Sequence, residues 1–230
     1  DEQRSRPAAL PPQIFELDGT RVVAPIDPQA GGTWLLANER GFVATLLNYY
    51  DATPPASQRP AEGYRSRGLL LRSLGACTSP SEAGPVLRHA VCEAAYAPFW
   101  IIALDPGGAT TRWRWDGEDL TSSEVGPDVM PVTTSSWETA DVLAERARLF
   151  EQLHPGDADE LETYHHSCSS KGGPWGPCMA RADARTVSFS RIDLSPEGIF
   201  FSYRPRATED DAGFEPPATV TLPWHPDHRP

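Results

Sequence analysis

The sequence predicts an α+β protein, built mainly from antiparallel hairpins, with a two-sheet core and helices outside it. Three observations lead there. Short apolar runs come in pairs around turn signals, as hairpins require. Two longer stretches carry apolar residues at helical spacing. Strands and helices do not alternate one for one, which argues against a parallel doubly wound sheet.

In chain order, residues 1–12 are polar and proline-rich. Gln13–Leu17 and Thr20–Ala24 flank Asp18-Gly19, a pair suited to a primed two-residue turn because both positions favour positive φ. After a loop containing Gly31-Gly32, Thr33–Ala37 and Phe42–Tyr50 form a second hairpin around residues 38–41. The Gly pair reads as a backbone device for close approach. Ser66–Leu74 predicts a short helix, and Ser79 or Ser81 caps a longer one that runs to about Tyr96. Phe99–Asp105 and Thr111–Asp116 form the next pair, where Trp113 and Trp115 alternate with Arg112 and Arg114 to give one apolar and one polar face. Val129–Thr134 predicts a short strand. Trp137–Leu153 predicts an amphipathic helix, with Ser135 and Glu138 at capping-box spacing. An acidic helix follows over Asp157–His166. Thr186–Asp193 and Ile199–Tyr203 then pair around Ser195–Gly198, and Ala218–Leu222 is a candidate edge strand in a Pro/Asp-rich tail.

Composition narrows the function classes. With 230 residues the chain fits one large domain or two small ones, and its hydrophobic content of 39% excludes a disordered chain. A net charge of −12 repels phosphate backbones, so no nucleic-acid partner is expected. The longest apolar run, Phe99–Leu104, is far short of the ~18 residues that span a bilayer. No span and a cytoplasmic location are therefore expected. Lys171 is the single lysine among 20 basic residues, an Arg bias that reads as bacterial base composition. The first residue is Asp1, with no signal-peptide pattern after it, and the true N-terminus is expected upstream.

The four cysteines, Cys77, Cys92, Cys168 and Cys178, match no zinc spacing. Cys92, in a helical pattern, reads as a small core residue. A bridge between Cys168 and Cys178 could pin the loop between them, although reduced thiols are the default. His165-His166 with Cys168 could bind a metal. Adjacent helical residues, however, point about 100° apart, so a polar helix end is the preferred reading, and no metal or cofactor is expected. Gly-x-Ser-x-Gly, phosphate-loop and His-Glu-x-x-His signatures are absent.

Three segments carry a resemblance: Gly31-Gly32-Thr33-Trp34 through Tyr49, Ser66-Arg67-Gly68-Leu69, and Arg181-Ala182-Asp183-Ala184-Arg185-Thr186-Val187-Ser188. Together they resemble the NRDE family, also called the transport and Golgi organisation protein 2 family, over about residues 1–205. Asp1-Glu2 is similar to the second half of the family's Asn-Arg-Asp-Glu motif. The family in turn resembles N-terminal-nucleophile hydrolases of the choloylglycine and penicillin acylase type. That implies a four-layer αββα sandwich over residues 1–205, here without its first hairpin, and a tail over 206–230. It also implies a Cys nucleophile at the mature N-terminus, upstream of Asp1. The terminal amine of such a residue has a pKa near 7.7–8.0 and can take the thiol proton itself.

By the same resemblance, Asp1 is the carboxylate that holds the nucleophile, Asn48 the oxyanion-hole amide and Arg185 a late arginine near the nucleophile. Trp34, which reads as a core plug or as a substrate wall, and Ser135 and Ser136 are candidate substrate contacts. Ser135-Ser136 replace a Ser-Asn pair common in the family, so a second amide donor is missing. The implied function is amidohydrolysis of a non-peptide C–N bond in a small-molecule substrate. Two alternatives stand beside it: a non-catalytic binder or carrier of haem or an acyl group, as in haem trafficking, and a secretory-pathway organisation factor. Residues 1–230 alone are expected to be inactive by this route, since the nucleophile is not among them. Substrate and oligomeric state are open.

Overall fold

The computed structural model describes residues 2–52, 59–126, 129–207 and 213–229. Its strands are β1 (Glu2–Gln3), β2 (Leu10–Leu17), β3 (Thr20–Ile26), β4 (Leu35–Asn38), β5 (Val43–Asn48), β6 (Phe99–Leu104), β7 (Thr110–Trp115), β8 (Leu120–Glu124), β9 (Ala184–Arg185), β10 (Ser188–Ser195), β11 (Gly198–Pro205) and β12 (Ala218–Leu222). Its α-helices are α1 (Arg67–Arg72), α2 (Pro80–Glu93), α3 (Thr139–Leu153) and α4 (Ala158–His166).

The chain divides into two compact units. One is drawn from the described residues of 9–126, 191–202 and 218–230. It holds a seven-stranded antiparallel meander in the order β2 to β8. The β2–β3 turn is of the primed kind, with φ of 47° at Asp18 and 76° at Gly19. Strict alternation drives burial along β6. Phe99, Ile101 and Ala103 face a core completed by Leu70, Leu71 and Leu74 around α1, and by Ala83 and Leu87 of α2. Trp113 and Trp115 of β7 join that core, and Trp115 Nε1 donates to the Tyr96 carbonyl at 3.0 Å. β12 packs beside β2 and β3, burying Leu222 completely.

The Gly31-Gly32 loop justifies its glycines. A Cβ on Gly32 would lie 2.5 Å from the Gly68 carbonyl carbon, so the loop can rest on the first turn of α1 only without one. Asn38, fully buried at the end of β4, ties the next loop down. Its Nδ2 donates to the Gly75 and Cys77 carbonyls (2.9 and 2.7 Å), and its Oδ1 accepts from the Arg40 and Phe42 amides (3.0 and 3.1 Å).

The other unit is drawn from the described residues of 1–8, 127–190 and 203–217. It holds α3, α4 and the pair β1–β9. Tyr164 of α4 is buried edge-on to Phe150 of α3, and its hydroxyl donates to the Arg146 carbonyl at 3.2 Å. The sheet β10–β11–β12 has its β10–β11 turn, residues 191–202, in the first-described unit.

Four sequence expectations are corrected. Val129–Thr134 is not a strand: Pro131 lacks an amide donor, and the Arg146 guanidinium takes Thr133 Oγ1 and the Thr134 carbonyl. The strand in that region is β8, whose polar side chains hid it and which exists because β7 offers it a full ladder. The capping box fails because Ser135 Oγ serves Trp137, accepting from its amide at 3.1 Å and donating to its carbonyl at 2.8 Å. α3 therefore starts at Thr139, with Glu138 in the left-handed region at φ 37°. Cys92 is exposed: α2 buries Pro80, Ala83, Gly84 and Leu87, and five residues beyond Leu87 lies about 140° round the helix.

Candidate functional site

The start of the described chain is held against the third resemblance segment. Glu2 stands opposite Arg185 and Gln3 opposite Ala184 in the β1–β9 pair. The Arg4 amide extends the contact to the Asp183 carbonyl at 2.9 Å, and Arg4 Nε donates to the Arg181 carbonyl at 3.0 Å. Arg185 thus lies beside the residues that directly follow Asp1. Asp1 itself is outside the described residues.

Ser135 and Ser136 belong to the same unit. Ser135 is buried and spends its hydroxyl on Trp137. Ser136 is exposed, and its Oγ accepts from Arg181 at 3.3 Å. Arg181 also pairs with Asp183 at 3.0 Å, and its amide donates to the Ala184 carbonyl at 2.8 Å. Arg181 therefore ties Ser136 to the turn that leads into Arg185. The sequence reading did not single it out, although it stands in the quoted motif. Motif membership was the available signal.

Asn48 and Trp34 lie in the unit of the seven-stranded sheet. Asn48 closes β5 opposite Phe99, half-buried, with Nδ2 donating to the Tyr50 hydroxyl at 2.8 Å. One N–H of that carboxamide is used there, and the other has no partner among the described residues. Trp34 is half-buried rather than a core plug, and its carbonyl accepts from the Leu46 amide at 2.8 Å and from Thr45 Oγ1 at 3.1 Å. On the sheet face away from the helices, Tyr49 meets Trp100 edge-on at 5.1 Å. Arg112 lies over Trp100 at 4.5 Å and Arg114 over Tyr49 at 5.8 Å.

α3 contributes a second cluster that periodicity concealed. Its buried positions include Glu145 and Arg146. Arg146 reaches Thr133 Oγ1 (2.7 Å) and the Thr134 and Pro174 carbonyls (2.9 and 3.1 Å), and burial lowers its pKa. Glu145 is gripped by Arg148 at 3.1 and 2.7 Å, by Ser169 Oγ at 2.9 Å and by Lys171 Nζ at 3.2 Å. The Arg148 bonds chiefly hold its carboxyl down to about 2, against the opposing effect of burial, with Ser169 and Lys171 adding to them. Asp141, Glu145, Arg148, Lys171 and Trp175 line a cleft of about 340 Å³ there, with Lys171 Nζ 4.6 Å from the Trp175 ring centre. Among the described residues, no group of three or more His, Cys, Asp and Glu could hold a metal ion, and no helix is long and apolar enough to cross a membrane.

Residues 1–153 match the family described as Transport and Golgi organisation 2. The chain belongs to this family. No curated protein sequence matches it. Among solved structures it is similar to penicillin V acylase from Agrobacterium tumefaciens, with a TM-score of 0.52 at 13% identity, over 94% of this chain and 76% of that one. That likeness shows the fold: this member of the Transport and Golgi organisation 2 family has the αββα sandwich of N-terminal-nucleophile hydrolases.

Proposed function

We propose that this protein is an amidohydrolase acting on a non-peptide C–N bond in a small molecule, with an N-terminal Cys upstream of residue 1 as nucleophile. The observation that carries the reading is the β1–β9 pairing, which sets Arg185 directly beside the residues that follow Asp1. In the proposed reaction, the cysteine thiolate attacks the amide carbonyl and the cysteine's own α-amine accepts the thiol proton. Asp1 holds that amine and Arg185 favours the thiolate. Asn48, whose carboxamide keeps one N–H unengaged among the described residues, donates to the oxyanion. The amine product leaves with the proton, and water then hydrolyses the thioester.

The test is the protein expressed from its full coding sequence, with the mature N-terminal residue identified by mass spectrometry. Its turnover of linear N-acyl amides carrying a chromogenic amine is then measured. A terminal Cys and an Asn48→Ala loss of about 10²–10³-fold in kcat are expected, the range for one oxyanion donor. A different terminal residue, or turnover indifferent to Asn48→Ala, overturns the reading.

A second reading has its own support. Ser136 stands where many family members carry an asparagine; it offers a hydroxyl that accepts from Arg181 at 3.3 Å, and no amide donor. That favours a non-catalytic cytoplasmic binder of haem or an acyl group. Haem titration tests it: a Soret shift that Asn48→Ala leaves unchanged is expected, and no shift excludes the haem version.

A further inference from the structure

The loop from Ser167 to Cys178 folds back on itself. The Cys178 amide donates to the Ser167 carbonyl at 3.2 Å. Gly176 packs so tightly on the opposite limb that a Cβ there would lie 2.6 Å from the Ser169 amide and 3.1 Å from the Cys168 Cα. The two limbs are thus at the spacing that a disulfide spans. Both sulfurs are free thiols, Cys168 exposed and Cys178 buried. Burial pushes the Cys178 thiol up to about 11, and the neighbouring Cys168 thiol adds to the rise.

Between these thiols the loop carries the groups that hold Glu145. Ser169 donates to Glu145 Oε1 and Lys171 pairs with Oε2, while Lys171 and Trp175 line the cleft. Nothing in the proposed hydrolase chemistry uses this loop.

We propose that Cys168 and Cys178 are a reversible redox pair which, when oxidised by a small-molecule disulfide of the glutathione class, closes the loop and fixes the Lys171–Trp175 wall of the Glu145 cleft. The exchange balances in two steps. The Cys168 thiolate attacks glutathione disulfide, forming a mixed disulfide and releasing one glutathione thiolate. Cys178 then loses its proton and attacks the Cys168 sulfur, expelling the second glutathione. The protein gives up two electrons and two protons, and one glutathione disulfide becomes two glutathione thiols. Cys168 is suited to the first step because it is exposed, whereas Cys178 is sheltered from outside reagents. Cys92, exposed and in the other unit, has no described resolving partner and stops at the mixed disulfide.

The experiment uses the full chain, incubated with glutathione disulfide, quenched by alkylation and mapped by mass spectrometry. The expected product is an internal Cys168–Cys178 disulfide, with Cys77 alkylated only after unfolding and Cys92 glutathionylated. The second step should speed up as the pH is raised above 7, because burial keeps Cys178 protonated at neutral pH and only its thiolate attacks. Lys171, the single lysine, reports on the cleft. Its acetylation by an N-hydroxysuccinimide ester should slow several-fold on oxidation, and Cys168→Ser, at an exposed site, should abolish the slowing. A mixed disulfide persisting on Cys168 while Cys178 stays a thiol overturns the redox pair. A bridge that leaves Lys171 labelling unchanged overturns its coupling to the cleft.

Discussion

Replacing Gly32 with alanine should be costly because the added methyl meets backbone on the facing segment. The new Cβ would stand 2.5 Å from the Gly68 carbonyl carbon and 2.7 Å from the Leu69 amide, both backbone atoms that cannot rotate away. Ordinary contact begins at 3.4 Å, so loop and helix must part by about 0.9 Å (3.4 − 2.5). The Thr33 amide to Gly68 carbonyl bond, now 3.1 Å, would lengthen to about 4.0 Å (3.1 + 0.9), outside hydrogen-bonding range. Leaving that buried pair unmade costs about 1–3 kcal/mol, and the overpacking about 1–3 kcal/mol more. About 3–4 kcal/mol in total is expected.

Two neighbouring glycines serve as controls. Gly31 has φ +69° with open space around it, so alanine there costs only the left-handed backbone, about 1–2 kcal/mol. At Gly68 the Cβ would meet Thr33 backbone atoms at 3.1 Å, a need for about 0.3 Å of relief that a helix-propensity gain of about 1 kcal/mol offsets. Urea unfolding followed by tryptophan fluorescence separates the three. With a slope of about 3 kcal/mol/M, the Gly32→Ala midpoint should fall by about 1 M, Gly31→Ala by about 0.3–0.7 M, and Gly68→Ala hardly at all. If Gly32→Ala costs no more than Gly31→Ala, the close-approach account of this loop is wrong.

Other perturbations read other parts of the structure. Asn38→Ala would strand four backbone groups at once, three of them in buried bonds, and a loss of about 3–4 kcal/mol is expected in the same urea assay. Asn38→Asp, which keeps the acceptor but loses the donors, should also destabilise. Glu145 has a folded pKa near 2, below its ordinary ~4.3, so its contribution is full above about pH 4.3 and is lost as pH falls towards 2. Glu145→Gln should therefore be less stable than the parent at pH 7, and the two stability curves should converge on acidification. Curves that stay parallel would mean the carboxylate does not carry the pairing. Arg146→Met should raise amide hydrogen exchange at residues 133–134 and 175–176, because its guanidinium anchors both loops.

Much of the second-described unit's architecture, by contrast with its side-chain clusters, was readable one element at a time. The acidic helix expected over Asp157–His166 is α4, where Asp157 is the cap, its Oδ1 accepting the Asp159 and Glu160 amides at 3.0 and 2.9 Å. The α3 periodicity pointed to its apolar residues and missed that Glu145 and Arg146 are buried. Such burial is favourable only where partners from other segments arrive, here Ser169 and Lys171 on one side and residues 133, 134 and 174 on the other. The site residues divide in the same way. The motifs picked out Asn48 and Arg185 as residue types, while the strand register that sets Arg185 opposite Glu2 joins positions far apart in the chain.

The sequence by itself determined the local events: the Asp18-Gly19 turn, which follows from the φ each residue tolerates, and the alternation along β6 and β7, which follows from the period of a strand. Only the tertiary structure decided what Gly32 approaches, why Ser135 does not cap α3, and that the limbs bearing Cys168 and Cys178 fold together. A close approach, a competing acceptor and a limb-to-limb contact are each set by three-dimensional packing that no local pattern encodes.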